Sequence, residues 1–331
     1  MIAQRRGSHD WPADPARRAG LRGPHVAHPM AKGLFSVQWP AQPAGPTGNC
    51  KVSNSNHGPD IGLGLGTLLQ GRYRLARELG RGSASVVYQG VDHHQGADIA
   101  LKVLALPPAE RARVRQEVMS AWDVTHDHIV PLRGCFETGE RCCVVMDYVA
   151  GPDLASRVSV APLTPDEAAA IGRGIALGLQ AAHRRGTLHR QIKPTNILIG
   201  PEVRARLSDF GCAGFGRNRE TPNGEDYLAP EVLAGQPADG RTDLYALGLN
   251  LYFGLTGRLP ERQGPGRPLQ AVADGHRPSR VRPTVPPWLD DAIAKATAAL
   301  PADRFSSAGR LADALAPGIG RAAGAVITVR A

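Results

Sequence analysis

Short hydrophobic segments of the strand type begin near residue 73. Residues 73–78 read YRLARE, with an arginine between two apolar positions, and residues 99–104, IALKVL, form an apolar run that holds one lysine. Side chains two positions apart lie on the same face of a strand, so such segments predict a sheet. Residues 111–122 are charged and favour a helix. We therefore expect residues 73–147 to be dominated by strands.

The second half of the chain, residues 164–316, favours helices. Thr164 and Glu167 form a capping box with Pro165 at the first helical position, and they open an alanine-rich segment that we expect to be helical to about residue 185. Short apolar segments at residues 196–199 and 205–208 predict two further strands. A small sheet-rich part followed by a larger helical part predicts an α+β architecture with two lobes. A ligand is expected in the cleft between them.

The length of 331 residues accommodates one such two-lobed unit and a tail. Residues 1 to about 66 are rich in Gly, Pro, Ala and Arg and have few large aliphatic side chains, so they are predicted to be disordered. The run IGLGLG at residues 61–66 resembles a nucleotide loop but lacks a preceding strand, which favours a linker. The expected division is a basic tail at 1–68, a domain at 69–316 with lobes at 69–147 and 151–316, and a short tail at 317–331.

Charge and cysteine usage narrow the class of protein. The net charge of +9 divides into +4 over residues 1–68 (seven basic, three acidic) and +5 over the rest (thirty-two basic, twenty-seven acidic). Such a spread argues against a dedicated nucleic-acid surface. No 18-residue apolar run is present, so we expect no membrane span and a cytoplasmic protein. Five cysteines without paired metal spacing fit a reducing compartment.

Six short motifs follow one another along the chain. They are LGRGSASVV at residues 79–87, Lys102 in its apolar run, Glu117 on the predicted helix, HRQIKPTN at residues 189–196, DFG at residues 209–211 and APE at residues 229–231. Each alone has an ordinary explanation, since a lone Gly-x-Gly is more often a hairpin turn and a lone lysine can lie solvated on an edge strand. Their shared order makes coincidence a poor explanation.

In this order the motifs resemble those of the eukaryotic-like Ser/Thr protein kinases of bacteria, over residues of about 70 to 316. The resemblance implies a protein-kinase-like bilobal α+β fold that binds ATP and Mg²⁺. It also implies a hinge at residues 146–151, with Met146 as the gatekeeper behind the adenine and Asp153 near the ribose.

The same resemblance assigns roles to individual residues. Lys102, held by Glu117, is expected to bind the phosphates, and Asn196 and Asp209 are expected to bind Mg²⁺. Lys193 is the choice typical of Ser/Thr kinases. The residues expected to contact the nucleotide are Gly80, Gly82, Ser85, Val87, Ala100, Lys102, Met146, Asp147, Val149, Asp153 and Leu198.

Two other residues are expected to support the site. Asp243 begins the sequence DLYALG, which resembles the buried-helix motif whose Asp holds the backbone of the catalytic loop. Arg304 fits the late arginine that pairs with Glu231 of the APE motif. The resemblance gives both residues scaffold roles.

Two departures from the family pattern bear on activity. Gln191 stands where these kinases carry the Asp that accepts the proton of the substrate hydroxyl, and a neutral amide is barely basic. Gly224 stands where such kinases usually carry a Thr that contacts this Asp and the following Lys. Thr221 is the one Ser or Thr between residues 212 and 228, so activation by phosphorylation there has few options, although Arg190 could clamp a phosphate.

Two functions remain open at this point. The first is a Mg-ATP-binding pseudokinase that regulates a partner protein through its lobe arrangement. The second is an active Ser/Thr protein kinase that transfers the γ-phosphate of ATP to a protein substrate, with Glu225 or Asp226 as a substitute base. The intact ATP-binding set together with two altered active-site positions favours the first.

Overall fold

Six antiparallel strands form a sheet in the first part of the chain. The computed structural model describes residues 62–82, 84–212, 226–260 and 275–316, all within the second of two compact units, His57–Ala331. The strands are β1 (Leu68–Leu69), β2 (Tyr73–Arg81), β3 (Ser85–Asp92), β4 (Ala97–Ala105), β5 (Leu132–Thr138) and β6 (Arg141–Asp147). Their order across the sheet is β1-β2-β3-β4-β6-β5, and helix α1 (Pro108–Ala121) connects β4 to β5. The strands and the helix predicted in this part are confirmed.

The alternation of side chains along β4 gives the sheet two covered faces. Leu101 and Val103 belong to one apolar cluster, whereas Ala100 belongs to another, to which α1 contributes Val118. Lys102 lies two positions from Ala100 and therefore on the side of the sheet that α1 covers. The strand thus places one cationic side chain beneath the helix.

Helices dominate the remainder, as predicted. After α2 (Leu154–Val160) and α3 (Pro165–His183) come a two-stranded ribbon, β7 (Ile197–Ile199) and β8 (Ala205–Leu207), and then α4 (Pro230–Leu233), α5 (Gly240–Thr256), α6 (Pro278–Val281), α7 (Pro287–Ala296) and α8 (Ala308–Ala314). A single apolar cluster joins α3, α5, α7, α8 and the ribbon. The motif HRQIKPTN at residues 189–196, called the catalytic loop below, lies between α3 and β7. The DFG motif follows shortly after β8.

The predicted cap of α3 is confirmed by its hydrogen bonds. Thr164 accepts a hydrogen bond from the backbone N–H of Glu167 at 3.2 Å through Oγ1, and Glu167 accepts one from the backbone N–H of Thr164 at 2.8 Å. The first turn therefore satisfies donors that would otherwise lack partners. The helix ends at His183, two residues before the expected boundary.

The predicted tail boundary at residue 68 needs correction. The backbone N–H of Leu63 donates to the Tyr88 hydroxyl at 2.8 Å, and Gly66 donates to the Leu75 carbonyl at 2.8 Å. Leu63 also packs against the apolar cluster on the outer face of the sheet. Residues 62–68 therefore form part of the domain, because the packing of Leu63 and these backbone hydrogen bonds hold the segment although Leu65 and Leu68 stay exposed. The predicted tails at residues 1–61 and 317–331 lie outside the described residues.

Membrane crossing requires a long apolar helix. Within the described ranges, every helix is too short or too polar to span a bilayer.

Candidate active site

A buried carboxylate holds the loop between α3 and β7 in an unusual backbone shape. Arg190 has a φ of +63°, in the left-handed region that costs a residue with a side chain about 1–2 kcal/mol. Asp243, in the first turn of α5, is buried and accepts hydrogen bonds from the backbone N–H groups of His189 at 2.9 Å and Arg190 at 2.8 Å. These bonds offset the strain and confirm the predicted scaffold role of Asp243.

His189 connects this loop to the segment that carries the DFG motif. Its ring is buried, its Nδ1 accepts the backbone N–H of Gln191 at 3.2 Å, and its Nε2 donates to the Ser208 carbonyl at 2.8 Å. One ring nitrogen accepts and the other donates, so the imidazole is neutral, and burial lowers the pKa of His189. The ring also meets Phe210 edge-on, with 4.7 Å between ring centroids. His189 therefore acts as a neutral structural connector.

Gln191 is anchored through its backbone. Its N–H donates to His189, and its carbonyl accepts a hydrogen bond from Nδ2 of Asn196 at 2.9 Å. In the described part of the chain, its side-chain amide makes no hydrogen bond. Gln191 lines a small cavity together with Lys193 and Tyr227. The position predicted for the base thus borders open space beside the loop and carries an amide.

Lys102 and Asp209 form an ion pair between the sheet and the helical part. The distance between Nζ and Oδ2 is 2.7 Å, and the two side chains are only 12% and 16% exposed. Burial lowers the pKa of Lys102, but the charge and hydrogen bond of Asp209, with a contribution from Cys212, together outweigh it and the net shift is upward. Burial raises the pKa of Asp209, but the charge and hydrogen bond of Lys102 bring it below its ordinary value. Both groups are therefore charged at neutral pH.

The expected pairing of Glu117 with Lys102 is wrong for this structure. Glu117, on α1, places its Oε1 3.7 Å from the nearest guanidinium nitrogen of Arg190. Burial raises the pKa of Glu117, and the charge of Arg190 acts against this shift. Asp209 compensates the charge of Lys102 instead, and the placement of α1 relative to the catalytic loop brings Glu117 to Arg190. Glu117 consequently links α1 to the catalytic loop.

Close backbone contact explains the glycine of the DFG motif. Gly211 has a φ of +75°, and a Cβ built on it would lie 2.7 Å from the backbone nitrogen of Val118. Glycine alone combines this dihedral angle with the required space. The segment that carries Asp209 is thereby packed directly against α1, the helix that carries Glu117.

Five of the residues predicted to contact the nucleotide meet in one apolar cluster. Ala100, Met146 and Val149 are buried in it, and Val87 and Leu198 are partly buried against it. They come from β3, β4, the end of β6, the segment after β6, and β7, so both parts of the chain contribute. The structure therefore assembles an apolar wall from residues that lie far apart in the sequence.

The two acidic residues predicted to contact the nucleotide, Asp147 and Asp153, bond to other protein groups. Asp147 forms an ion pair with Arg133, and Asp153 caps α2 by accepting the backbone N–H of Ser156 at 2.7 Å. Asp153 also bridges Leu198 through its backbone, which fixes Leu198 beside the end of the hinge segment. Both carboxylates thus have structural partners in this structure.

The glycine-rich segment forms the turn between β2 and β3. Gly80 is paired with Val87 across the two strands, and Gly82 donates its backbone N–H to the Ser85 carbonyl at 2.7 Å. The exposed residues of this segment lie at the end of β2, where the chain turns into β3.

Asn196 lies next to the DFG segment. It is buried, and its backbone carbonyl accepts the N–H of Ser208 at 2.9 Å. Ser208 directly precedes Asp209, so the two candidate metal ligands are held side by side. The Asn196 side chain uses Nδ2 for the Gln191 carbonyl, which leaves its oxygen as the group that can face a ligand.

Sequence reasoning missed two neighbours of Gln191. Tyr227 and Leu228 line the same cavity as Gln191. Their position directly before the APE motif was the available signal. The cavity connects the catalytic loop to the segment that precedes α4.

The predicted scaffold pair of Arg304 and Glu231 is confirmed. The guanidinium donates to both carboxylate oxygens, at 2.7 and 2.8 Å, and both side chains are at most 5% exposed. Thr242 donates its hydroxyl to the same carboxylate at 2.9 Å. The pair fastens the APE motif to the C-terminal helices.

Comparisons with known proteins agree with this geometry. The model of the protein kinase domain family matches residues 73–308. The Ser/Thr protein kinase PknD of Mycobacterium tuberculosis is 38% identical over 257 residues, which are 73% of this chain and 39% of PknD. PknJ of Mycobacterium bovis is 38% identical over 276 residues, 77% of this chain and 46% of PknJ. The chain thus spans less than half the length of these curated relatives.

Solved structures show the same fold. The crystal structure of a mutant of the Mycobacterium tuberculosis PknI kinase domain aligns with a TM-score of 0.64 at 32% identity and covers 78% of this chain and 99% of that one. The structure of Rad53 residues 1–466 in complex with AMP-PNP aligns with a TM-score of 0.64 at 25% identity over 75% of this chain and 65% of that one. The predicted bilobal α+β fold is confirmed. The chain belongs to the protein kinase family, among the eukaryotic-like Ser/Thr protein kinases of bacteria.

Proposed function

We propose that this chain is a Mg-ATP-binding pseudokinase that regulates a partner protein. The observation that carries the proposal is Gln191, an amide at the base position of a catalytic loop whose frame is otherwise intact. Asp243 holds the backbone of this loop, and Asn196 and His189 anchor Gln191 itself. The catalytic loop therefore lacks one carboxylate within a preserved backbone frame, and Gly224 is the second departure from the family pattern.

The apolar cluster supports the binding of an adenine. Ala100 and Met146 contribute from the sheet, and Leu198 contributes from the ribbon. A flat apolar ring fits between walls of this kind, as in most small-molecule sites. Val87 and Val149 extend the same surface.

The charged groups suit a nucleotide with a divalent cation. Asp209 and the side-chain oxygen of Asn196 are hard oxygen donors, the type that Mg²⁺ prefers. Lys102 contacts Oδ2 of Asp209. Among the described residues nothing bonds Oδ1, so this oxygen is left for a ligand. Bound ATP would supply the phosphoryl group, and Mg²⁺ would neutralise charge on its phosphates. The Lys102 ammonium would position the phosphates.

The chemistry that this site lacks is proton acceptance. A positioned base contributes about 10²- to 10⁴-fold to a reaction rate. Gln191 can orient a hydroxyl by hydrogen bonding but takes up no proton at neutral pH. The residues therefore bind and position a nucleotide far better than they catalyse its reaction. This combination suits a module whose nucleotide-bound shape is recognised by a partner.

An active Ser/Thr protein kinase is the second candidate. Tyr227, which follows Asp226 in the chain, lines the same cavity as Gln191, so Asp226, the proposed substitute base, stands one residue from that cavity. Glu225, the other candidate, lies outside the described residues. If activity is found and the paired change Glu225→Gln and Asp226→Asn leaves it unaltered, this substitution of the base is excluded.

The deciding experiment measures transfer of radiolabelled γ-phosphate from Mg-ATP to the full chain and to a generic basic substrate. The Asp209→Asn variant is the control, because it removes a metal ligand and retains the size of the side chain. We expect incorporation no higher than in the control, together with thermal stabilisation by Mg-ATP. Incorporation above the control assigns the active kinase instead, and absence of stabilisation refutes nucleotide binding.

Replacing Lys102 by Ala is expected to weaken Mg-ATP binding about 10- to 100-fold. A hydrogen bond to a charged group contributes about 1.5–3 kcal/mol, and Lys102 is the buried cation beside Asp209. Titration calorimetry gives the affinity, and the melting temperature without nucleotide reports whether the variant is folded. Lys295→Ala is the matched control, because that ammonium lies over the ring of Phe305, away from the site. Unchanged affinity in Lys102→Ala would contradict the phosphate assignment.

A further inference from the structure

Two cysteine thiols touch beneath helix α1. Cys135 on β5 and Cys142 on β6 bring their Sγ atoms to 3.7 Å. In the register of the two strands, Glu137 faces Cys142 and Cys135 faces Val144. Cys135 and Cys142 are therefore diagonal neighbours on the same face of the sheet. Both belong to the apolar cluster that α1 covers, and both are free thiols.

The neighbouring Cys143 provides an internal comparison. It follows Cys142 directly, so its side chain points to the opposite face of the strand. There it lies in the cluster with Leu101 and Val145, and burial raises its pKa to about 12. Two adjacent cysteines thus have different surroundings, and only Cys142 faces a second thiol among the described residues.

The two thiols of the touching pair are not equivalent. The hydrogen bond from Cys135 lowers the pKa of Cys142, and the positive charges of Arg111 and Arg115 act in the same direction, whereas burial and the charge of Glu137 act against this shift. The same hydrogen bond and burial raise the pKa of Cys135. Since the thiolate is the nucleophile in thiol chemistry, Cys142 is suited to attack and Cys135 to respond as the second thiol.

Access to the pair comes through the end of the β5–β6 hairpin. Cys142 is the second residue of β6, next to the strand pair of Thr138 and Arg141 that closes the hairpin. Strand ends at a turn open locally far more easily than the centre of a sheet. Cys142 is only 1% exposed, so a small molecule reaches it when this end of the hairpin opens locally.

We propose that Cys135 and Cys142 are a redox-active pair that a hydroperoxide converts into an intrachain disulfide. In the first step the Cys142 sulfur attacks one peroxide oxygen. An S–O bond forms, the O–O bond breaks, and the departing oxygen leaves as water or an alcohol after taking up the thiol proton. In the second step the Cys135 sulfur attacks the sulfenic sulfur, an S–S bond forms, the S–O bond breaks and water leaves. Two thiols are oxidised and one peroxide is reduced.

The backbone can follow this bond. A disulfide needs its sulfurs at about 2.05 Å, so the strands must approach each other locally. β5 carries a register shift between Leu132 and Gly134, directly before Cys135. An irregularity of this kind interrupts the ladder and lets the strand adjust. The Sγ atoms are already 3.7 Å apart, so they must close by about 1.7 Å.

The test exposes the folded full chain to hydrogen peroxide, blocks remaining thiols by alkylation and digests with trypsin. Cleavage after Arg133, Arg141 and Arg157 separates residues 134–141, which hold Cys135, from residues 142–157, which hold Cys142 and Cys143. We expect these two peptides to be recovered as one linked species, lighter than their sum by two hydrogens. Reduction should separate them again.

Three variants identify the partner. Cys143→Ala is expected to retain the linked species, whereas Cys142→Ala and Cys135→Ala are each expected to lose it. The proposal is overturned if the link persists in Cys142→Ala, if Cys135 links to Cys50 or Cys212, or if peroxide yields sulfinic acid or unmodified thiols at these positions. Melting temperatures of the reduced variants establish that they are folded, and the two variants of the pair serve as independent tests.

Discussion

Replacing Gln191 by Asp is expected to raise γ-phosphate transfer from Mg-ATP to a protein substrate by about 10²- to 10⁴-fold over the natural chain. The gain equals the usual contribution of a positioned base, or about 3 to 5.5 kcal/mol of barrier. Phosphoryl transfer depends mainly on positioning and charge stabilisation, and the groups that perform these tasks are present in Lys102, Asn196 and Asp209. The carboxylate restores the one chemical function that the loop lacks.

The structure indicates that the loop will accept this change. Gln191 is held by its backbone N–H and carbonyl, which bond His189 and Asn196 whatever the side chain is. Asp243 fixes the preceding backbone. Lys193, which lines the same cavity, favours the ionised form of a new carboxylate. The variant therefore changes the chemistry of the position and leaves the shape of the loop.

Gln191→Asn is the matched control, because it has the length of Asp and remains an amide. Its phosphotransfer should equal that of the natural chain, measured by initial rates with a common substrate and with Asp209→Asn as background. Equal rates for the Asp and Asn variants would mean that Gly224 or the arrangement of Glu117 with Arg190 also blocks the reaction. In that case the lost base is one defect among several.

The catalytic loop was predictable because the residues that define it are consecutive in the sequence. The spacing from His189 to Asn196 indicates a loop of fixed shape. Asp243, at the start of a later buried helix, was predicted to hold its backbone, and it accepts the backbone hydrogen bonds of the loop. Strand β4 was predictable because alternation along a strand is a local property. The capping box of α3 was predictable for the same reason, since both partners lie within one turn.

The partner of Glu117 could not be predicted in the same way. Four charged groups lie close together here, and the placement of α1 relative to the loop decides which of them pair. Asp209 pairs with Lys102 at 2.7 Å, and Glu117 pairs with Arg190 at 3.7 Å. The sequence holds the same residues under either pairing, so only the tertiary structure distinguishes them. The packing of residues 62–68 was missed for a related reason, because average composition does not show that a single residue, Leu63, packs against the sheet.

Replacing Arg304 by Met is expected to lower the free energy of unfolding by about 3–5 kcal/mol at pH 7. The change leaves the Glu231 carboxylate buried without its cation, and it also removes the donors to the backbone carbonyls of Ala298 and Ala299. Unfolding by urea, followed by circular dichroism, measures the loss. A change below about 1 kcal/mol, the range of exposed ion pairs, would contradict this view of the pair.

The double variant Arg304→Met with Glu231→Gln separates charge from packing. Gln cannot ionise, yet its oxygen still accepts the Thr242 hydroxyl, which donates to Glu231 in the natural chain. We expect the double variant to recover part of the lost stability, since the uncompensated charge is gone while the backbone carbonyls remain without the guanidinium. If the double variant is less stable than Arg304→Met, the penalty comes from lost packing instead.

The pH dependence of the unfolding free energy provides a second, independent test of this prediction. In the natural chain burial raises the pKa of Glu231, but the hydrogen bonds and charge of Arg304, together with hydrogen bonds from the Glu231 backbone N–H and from Thr242, hold the pKa below its ordinary 4.5. The stabilisation is therefore present above pH 4.5 and is lost as pH falls through the lowered folded-state pKa. Without Arg304, burial raises the pKa against only the hydrogen bonds from the Glu231 backbone and Thr242, so Glu231 of the variant takes up a proton earlier in the acid direction and loses its buried charge. The difference in unfolding free energy between the natural chain and Arg304→Met should consequently be largest near neutral pH and shrink as the solution is acidified. A difference that grows towards acid would assign the stabilisation to groups other than this pair.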